Sequence, residues 1–209
     1  MQNPKTAVRA AVRANSKTRR RIVFLAVSLA SVVLIVLVTY RIVTLNMMYP
    51  SPKLLEFSLN EEVVGGDVGI TVTSFRIYEG EEIYGLIPTY EETMKDASGV
   101  PFDISQVRML VCGLTITNHG SEPHTVSLSR PVLQVGMWKN GVHRPAYLKL
   151  NEGVSMSLQL APGETVSVWL PYNMYDLQFE NNYEWTHATE KQADLVLNTY
   201  PVKAVVHLR

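Results

Sequence analysis

Arg19, Arg20 and Arg21 stand directly before an unbroken uncharged run from Ile22 to Tyr40. No other feature constrains the chain as strongly, because a run of this kind is costly to leave in water. Thirteen of its nineteen residues are Val, Ile, Leu or Phe. At roughly −0.3 to −0.6 kcal/mol each, they make insertion favourable by on the order of 4 to 8 kcal/mol. As a helix rising about 1.5 Å per residue, the run reaches about 28 Å, and Ile42 and Val43 extend it past a snorkelling Arg41 to match a hydrocarbon core of about 30 Å. The expectation is a single transmembrane helix over 22–43.

Charge gives that helix a direction. The formal net charge of zero is the sum of two opposed segments: all nineteen acidic residues lie at or after Glu56, whereas nine of the nineteen basic residues precede it. Seven of those cations come before the span and only Arg41 and Lys53 follow it closely. Arg19, Arg20, Arg21 and Arg41 therefore set a topology with the amino terminus in the cytoplasm and the rest outside the plasma membrane. A cleavable signal peptide shares the basic start and apolar core, but the run is longer than a signal core and Thr44 to Tyr49 offers no small-x-small cleavage site. The expectation is an uncleaved signal anchor. Residues 1–21 form a basic cytoplasmic tail in which Lys5, Arg9, Arg13, Lys17 and Arg21 recur every fourth residue, a stripe suited to an anionic leaflet or equally to a disordered topogenic tail. Residues 44–53, with Tyr49, Pro50 and Pro52, read as a short stiff tether.

Beyond it, residues 54–209 are enough for one domain with its own core. Period two dominates there. Val154, Met156, Leu158 and Leu160 alternate with polar residues, as do Val166, Val168 and Leu170, and Ala161-Pro162-Gly163-Glu164 between them predicts a hairpin. Leu110, Cys112, Leu114 and Ile116 form another one-sided strand. Leu133, Val135 and Met137 run toward Asn140-Gly141, which predicts a tight turn, with Ala146, Leu148 and Leu150 returning as a strand. Further strands are expected at 55–59, 68–78, 194–200 and 202–208, the second with a bulge near Thr73 or Ser74 where the apolar phase slips. About nine short strands predict an all-β sandwich. Residues 79–105, carrying Glu79, Glu81, Glu82, Glu91, Glu92, Asp96 and Asp103, read as a long, solvated acidic insertion with room for one short helix.

Val111-Cys112-Gly113-Leu114-Thr115-Ile116-Thr117-Asn118-His119-Gly120-Ser121-Glu122-Pro123, followed by Leu160-Ala161-Pro162-Gly163-Glu164, resembles the immunoglobulin-like domains of unknown function found outside the membrane in Gram-positive bacteria, themselves similar to secreted immunoglobulin-like antigens of mycobacteria. The resemblance implies an immunoglobulin-like sandwich over 54–209. It implies no catalytic residue, and none is assigned.

The residues with chemistry in them are few. Cys112 is the only cysteine, so no internal disulfide forms, and its place in an apolar strand phase makes it a buried thiol. His119 and His124 flank a turn without the spacing of a helical metal motif, and the acidic insertion lacks the order of a calcium loop. Phosphate-binding, dinucleotide and serine-nucleophile motifs are absent from the sequence. With ten basic against nineteen acidic residues from Glu56 onward, the exported part would repel nucleic acid. Trp138, Trp169 and Trp185 with Tyr172, Tyr175 and Tyr183 belong to the core or to an aromatic binding patch. The expectation is a non-enzymatic, cofactor-free module that meets the lipid bilayer and a protein or cell-envelope partner, with Glu79, Glu81, Glu82, Glu91 and Glu92 as interaction residues. The alternative is a metal-dependent or enzymatic module built on the acidic insertion and the two histidines. Self-assembly through Ala26 and Ala30 in the span is a third reading.

Overall fold

A computed structural model describes residues 4–96, 98–199 and 201–209, with side chains described from residue 24 onward, Ala26 excepted. The chain divides into two compact units, 1–51 and 52–209.

The first unit is one helix, α1 (Pro4–Met48). Its Val27–Met48 stretch has a mean hydropathy of 2.1 and is long and apolar enough to cross a membrane. Leu29, Val33, Leu34, Ile35, Val36 and Leu37 are all at least half exposed, so the apolar surface runs all round the helix, as suits surrounding lipid. Ser31 and Thr44, the polar residues that interrupt it, donate their hydroxyls to the carbonyls of Val27 and Tyr40 at 2.9 and 2.8 Å. That internal bonding removes the need for water. The helix ends just before Pro50, which cannot continue it. Arg41 is exposed; the side chains of Arg19, Arg20, Arg21 and Ala26 lie outside the described residues.

The second unit is a sandwich of eleven described strands. β1 (Lys53–Ser58), β2 (Glu62–Gly65) and β3 (Val68–Glu79) precede the insertion, which holds α2 (Glu81–Leu86) and α3 (Tyr90–Thr93). β4 (Val107–Asn118), β5 (His124–Ser127), β6 (Val132–Val135), β7 (Trp138–Gly141), α4 (Arg144–Leu150), β8 (Ser157–Leu160), β9 (Thr165–Tyr175), α5 (Asn182–His187), β10 (Ala193–Asn198) and β11 (Val202–His207) follow. One sheet has the order β1-β11-β10-β6-β7, the other β2-β3-β4-β9, and β5-β8 forms a separate ribbon. Among the described strands only β1 and β11 pair in parallel. Both sheets feed one core: Leu110, Cys112, Leu114 and Ile116 of β4 and Val168, Leu170 and Tyr172 of β9 meet Leu133 of β6, Leu195 of β10 and Val206 of β11.

The expected bulge is present, as the β3–β4 register shifts between Val72 and Ser74, and Thr73 donates its hydroxyl to the Gly113 carbonyl at 3.2 Å. Both predicted hairpins are corrected. β8 pairs with β5 and β9 with β4, so Ala161–Glu164 carries the chain from the ribbon to a sheet instead of folding two partners together. The tight turn after β6 is Gly136-Met137, with Val135 opposite Trp138 and Gly136 at φ 57°. Asn140-Gly141 lies within β7, where the Asn140 amide donates to the Asn173 carbonyl at 2.9 Å. Ala146 to Leu150 belongs to α4, begun by Pro145 in its first turn and by the His143 ring, which accepts from the Ala146 N–H. The strand expected over 194–200 runs to Asn198, and Tyr200 lies outside the described residues.

The acidic insertion is the largest correction, since it is a folded cap. Ile83, Ile87, Tyr90 and Met94 are buried against Val107, Met109 and Val111 of β4 and Ala146 of α4, forming a second core on the outer face of the β2-β3-β4-β9 sheet. β4 is consequently buried on both faces, its alternate residues serving two cores.

Candidate functional site

The residues expected to carry chemistry are mostly spoken for by neighbours. Glu81 and Glu82 lie in the first turn of α2, and Glu91 and Glu92 in the first turn of α3, where carboxylates offset the exposed backbone N–H groups of a helix start. Their function is thus partly local. Glu82 pairs with Arg76 at 3.3 Å, Glu91 accepts from the Tyr84 hydroxyl at 3.3 Å, and Glu79 holds Arg108 at 2.7 Å. Arg108 is nearly buried, and its guanidinium lies 4.0 Å from the Trp185 ring centroid while donating to the Trp185 carbonyl.

His119 and His124 bind different carboxylates. His119 Nε2 lies 2.7 Å from Glu62 and His124 Nε2 lies 3.3 Å from Asp67, lacing the β4–β5 turn to the β2–β3 hairpin. Among the described residues no three His, Cys, Asp or Glu side chains converge as a metal site would require. Cys112 is buried, and desolvation pushes its thiol pKa well above the ordinary range, so it is a poor nucleophile in the folded chain. The aromatics are dispersed: Tyr172 is fully buried in the sandwich core, Trp185 packs on Phe179 and Arg108, Trp138 donates to Gln178, and Trp169 lies about half exposed on the outer face.

His143 provides a pH-sensitive element in the fold. Burial lowers its pKa to about 4, so the ring stays neutral and accepts from the Ala146 N–H at 3.3 Å. The unfolded ring takes up a proton near pH 6.5 while the folded ring does not, so stability is full above about 6.5 and falls as pH drops toward 4. The loss is about 2–3 kcal/mol. In His143→Asn, which retains an acceptor, urea unfolding midpoints should lose this slope between pH 6.5 and 4.

A cleft of about 520 Å³ lies between the sheets. It exists because β4 ends at Asn118 and β5 pairs with β8, joining neither larger sheet. Leu114 and Ile116 of β4, Val63 of β2, Val126 of β5, Leu197 of β10 and Ala204 of β11 line it. The size lies within the range of small-ligand pockets, about 300–1,000 Å³. Arg130 also lines it while remaining exposed, which puts this cation at the mouth. The sequence reading missed this cleft. Its local signal is slight, a lone arginine before Pro131, because the opening depends on where a strand leaves its sheet.

Residues 56–204 match the family model described as Domain of unknown function (DUF5028). The chain belongs to the DUF5028 family. The DUF5028 match runs from within β1 to within β11, so it takes in most of the sandwich, the folded insertion and all the cleft-lining residues except Leu55. No functionally curated protein matches the sequence. Among solved structures, this DUF5028 chain is similar to the yjhA protein of Bacillus subtilis, at 14% identity over 73% of this chain and 99% of that one, with a TM-score of 0.46. An uncharacterized beta-sandwich protein of Clostridium difficile 630 is similar at 14% identity over 76% and 97% of the two chains, with a TM-score of 0.45. A conserved hypothetical protein of Bacillus anthracis is similar at 16% identity over 73% and 95%, with a TM-score of 0.43.

Proposed function

We propose that this chain is a single-pass membrane protein, amino terminus inside, whose sandwich is an extracytoplasmic, immunoglobulin-like binding module without an enzymatic role. The observation that carries the topology is the charge step across the apolar helix: seven cations before the span, and all nineteen acidic residues beyond it. The immunoglobulin-like assignment draws its support from strand order. β3-β4-β9 fits the A-B-E side of such a fold, and β11-β10-β6-β7 fits G-F-C-C′, with β1 added beside the last strand. A binding role is favoured over catalysis because Glu79 and the two histidines pair with local partners, whereas the cleft is mainly apolar.

The test is cysteine accessibility in intact cells with a membrane-impermeant maleimide. Buried Cys112 leaves a low background. Arg209→Cys should be labelled in intact cells and Gln2→Cys only after lysis. The reverse pattern would overturn the topology, and labelling at both positions in intact cells would overturn the anchor.

A further inference from the structure

The geometry points to the inter-sheet cleft as a site for one acyl chain of an anionic membrane lipid, with Arg130 receiving the headgroup. This inference rests on the membrane-anchored reading above and names the ligand of that module. Three observations carry it. The first is the lining: Val63, Ile70, Leu114, Ile116, Val126 and Leu197 present hydrocarbon from both sheets and the ribbon to one space of about 520 Å³. An elongated apolar group fills the part of such a space that these side chains line, where a polar group would lose its hydration.

The second is charge. The chain has nineteen acidic residues, yet among the described residues none lines the cleft, and Arg130 is the only charged one that does. Among the described residues Arg130 forms no ion pair with a carboxylate, unlike Arg76 and Arg108. A cation at the mouth of an apolar cleft, in a domain otherwise rich in carboxylates, matches an amphiphile with an anionic head and an apolar tail. Thr125, Ser127 and Asn198, which also line the cleft, add hydrogen-bonding groups for phosphate oxygens.

The third is reach. Leu55, on the cleft wall, follows the last residue of α1, Met48, by seven residues. Even fully extended, that covalent path covers only about 24 Å. With α1 in a membrane, lipid is an anionic amphiphile that a domain on so short a connection can meet.

The full chain is reconstituted into vesicles mixing phosphatidylcholine and phosphatidylglycerol, with a terminal acyl diazirine on one lipid or the other, and photolabelled peptides are identified by mass spectrometry. The expected result is labelling of α1 by both probes, and of the peptides containing Val126 and Leu197 by the phosphatidylglycerol probe several-fold more than by phosphatidylcholine. Val126→Trp, which fills the cleft, should abolish the second signal and leave α1 labelled. Arg130→Glu should remove the preference for phosphatidylglycerol. A labelled α1 beside unlabelled cleft peptides would overturn the inference. Equal cleft labelling by the two lipids would overturn the headgroup assignment, as would labelling that survives in Val126→Trp for the cleft itself. An unlabelled α1 would instead defeat the membrane reading, and the cleft peptides would still decide the site.

Discussion

Asn118→Ala is expected to destabilise the sandwich domain by about 3–5 kcal/mol, measured as the shift in urea unfolding of residues 52–209. Asn118 is fully buried at the end of β4. Its amide nitrogen lies within reach of three carbonyls, those of Glu122 at 2.8 Å, Ala161 at 3.1 Å and Leu160 at 3.2 Å, and its oxygen accepts from the Gly120 N–H at 2.9 Å. Its backbone continues the pattern, donating to the Glu164 carbonyl and accepting from the Gly163 N–H, each at 2.9 Å. One residue thus joins the β4–β5 turn to the β8–β9 turn. Truncation would remove the donor and leave buried carbonyls without a partner, which costs more than the lost bonds alone. Asn118→Asp separates this mechanism from volume, because it has nearly the same size but turns a carboxylate toward the carbonyls. It should destabilise at least as much at neutral pH; retention of wild-type stability by either variant would refute the clasp.

The second large effect concerns the insertion. Tyr90→Ala should cost about 3–5 kcal/mol, the range for truncating a fully buried aromatic. Tyr90 is 1% exposed and meets Tyr84 edge-on with ring centroids 5.5 Å apart. Its removal uncovers the outer face of β4, so amide exchange should quicken at Met109 and Val111 more than at Leu195 across the sandwich. Tyr90→Phe should be tolerated, because no protein group among the described residues bonds the Tyr90 hydroxyl. If the insertion were a solvated loop, Tyr90→Ala would change stability by only about 0.5 kcal/mol.

How much of this was legible from residues alone follows from which surfaces each strand faces. Alternation located most strands because one face of each meets the sandwich core, and the slip in apolar phase located the bulge at Thr73. Pairing was less accessible. Ala161-Pro162-Gly163-Glu164 and Asn140-Gly141 are good turn formers, but turn chemistry does not reveal which neighbour a strand takes. The partners of β8 and β9 were decided instead by the Asn118 clasp and by the long β4 surface, both remote in sequence. The insertion was misjudged because its acids dominate its composition. Between them, Ile83, Ile87, Tyr90 and Met94 keep helix-like spacing despite the break at Pro88. That pattern was the available signal, and the helix-start positions of the glutamates explain the charge that obscured it. The cleft left almost no local trace.

The parallel pairing of β1 and β11 has a mechanical consequence. β1 begins at the end of the tether and β11 closes near Arg209, and six residues of each lie side by side in one register, from Lys53 against Val202 to Ser58 against His207. Tension applied between Lys53 at the start of β1 and His207 at the end of β11 would pull these two strands lengthwise in opposite directions. Their hydrogen bonds would share the load and have to rupture together, so such a pull would meet a shear lock before it could peel the domain open.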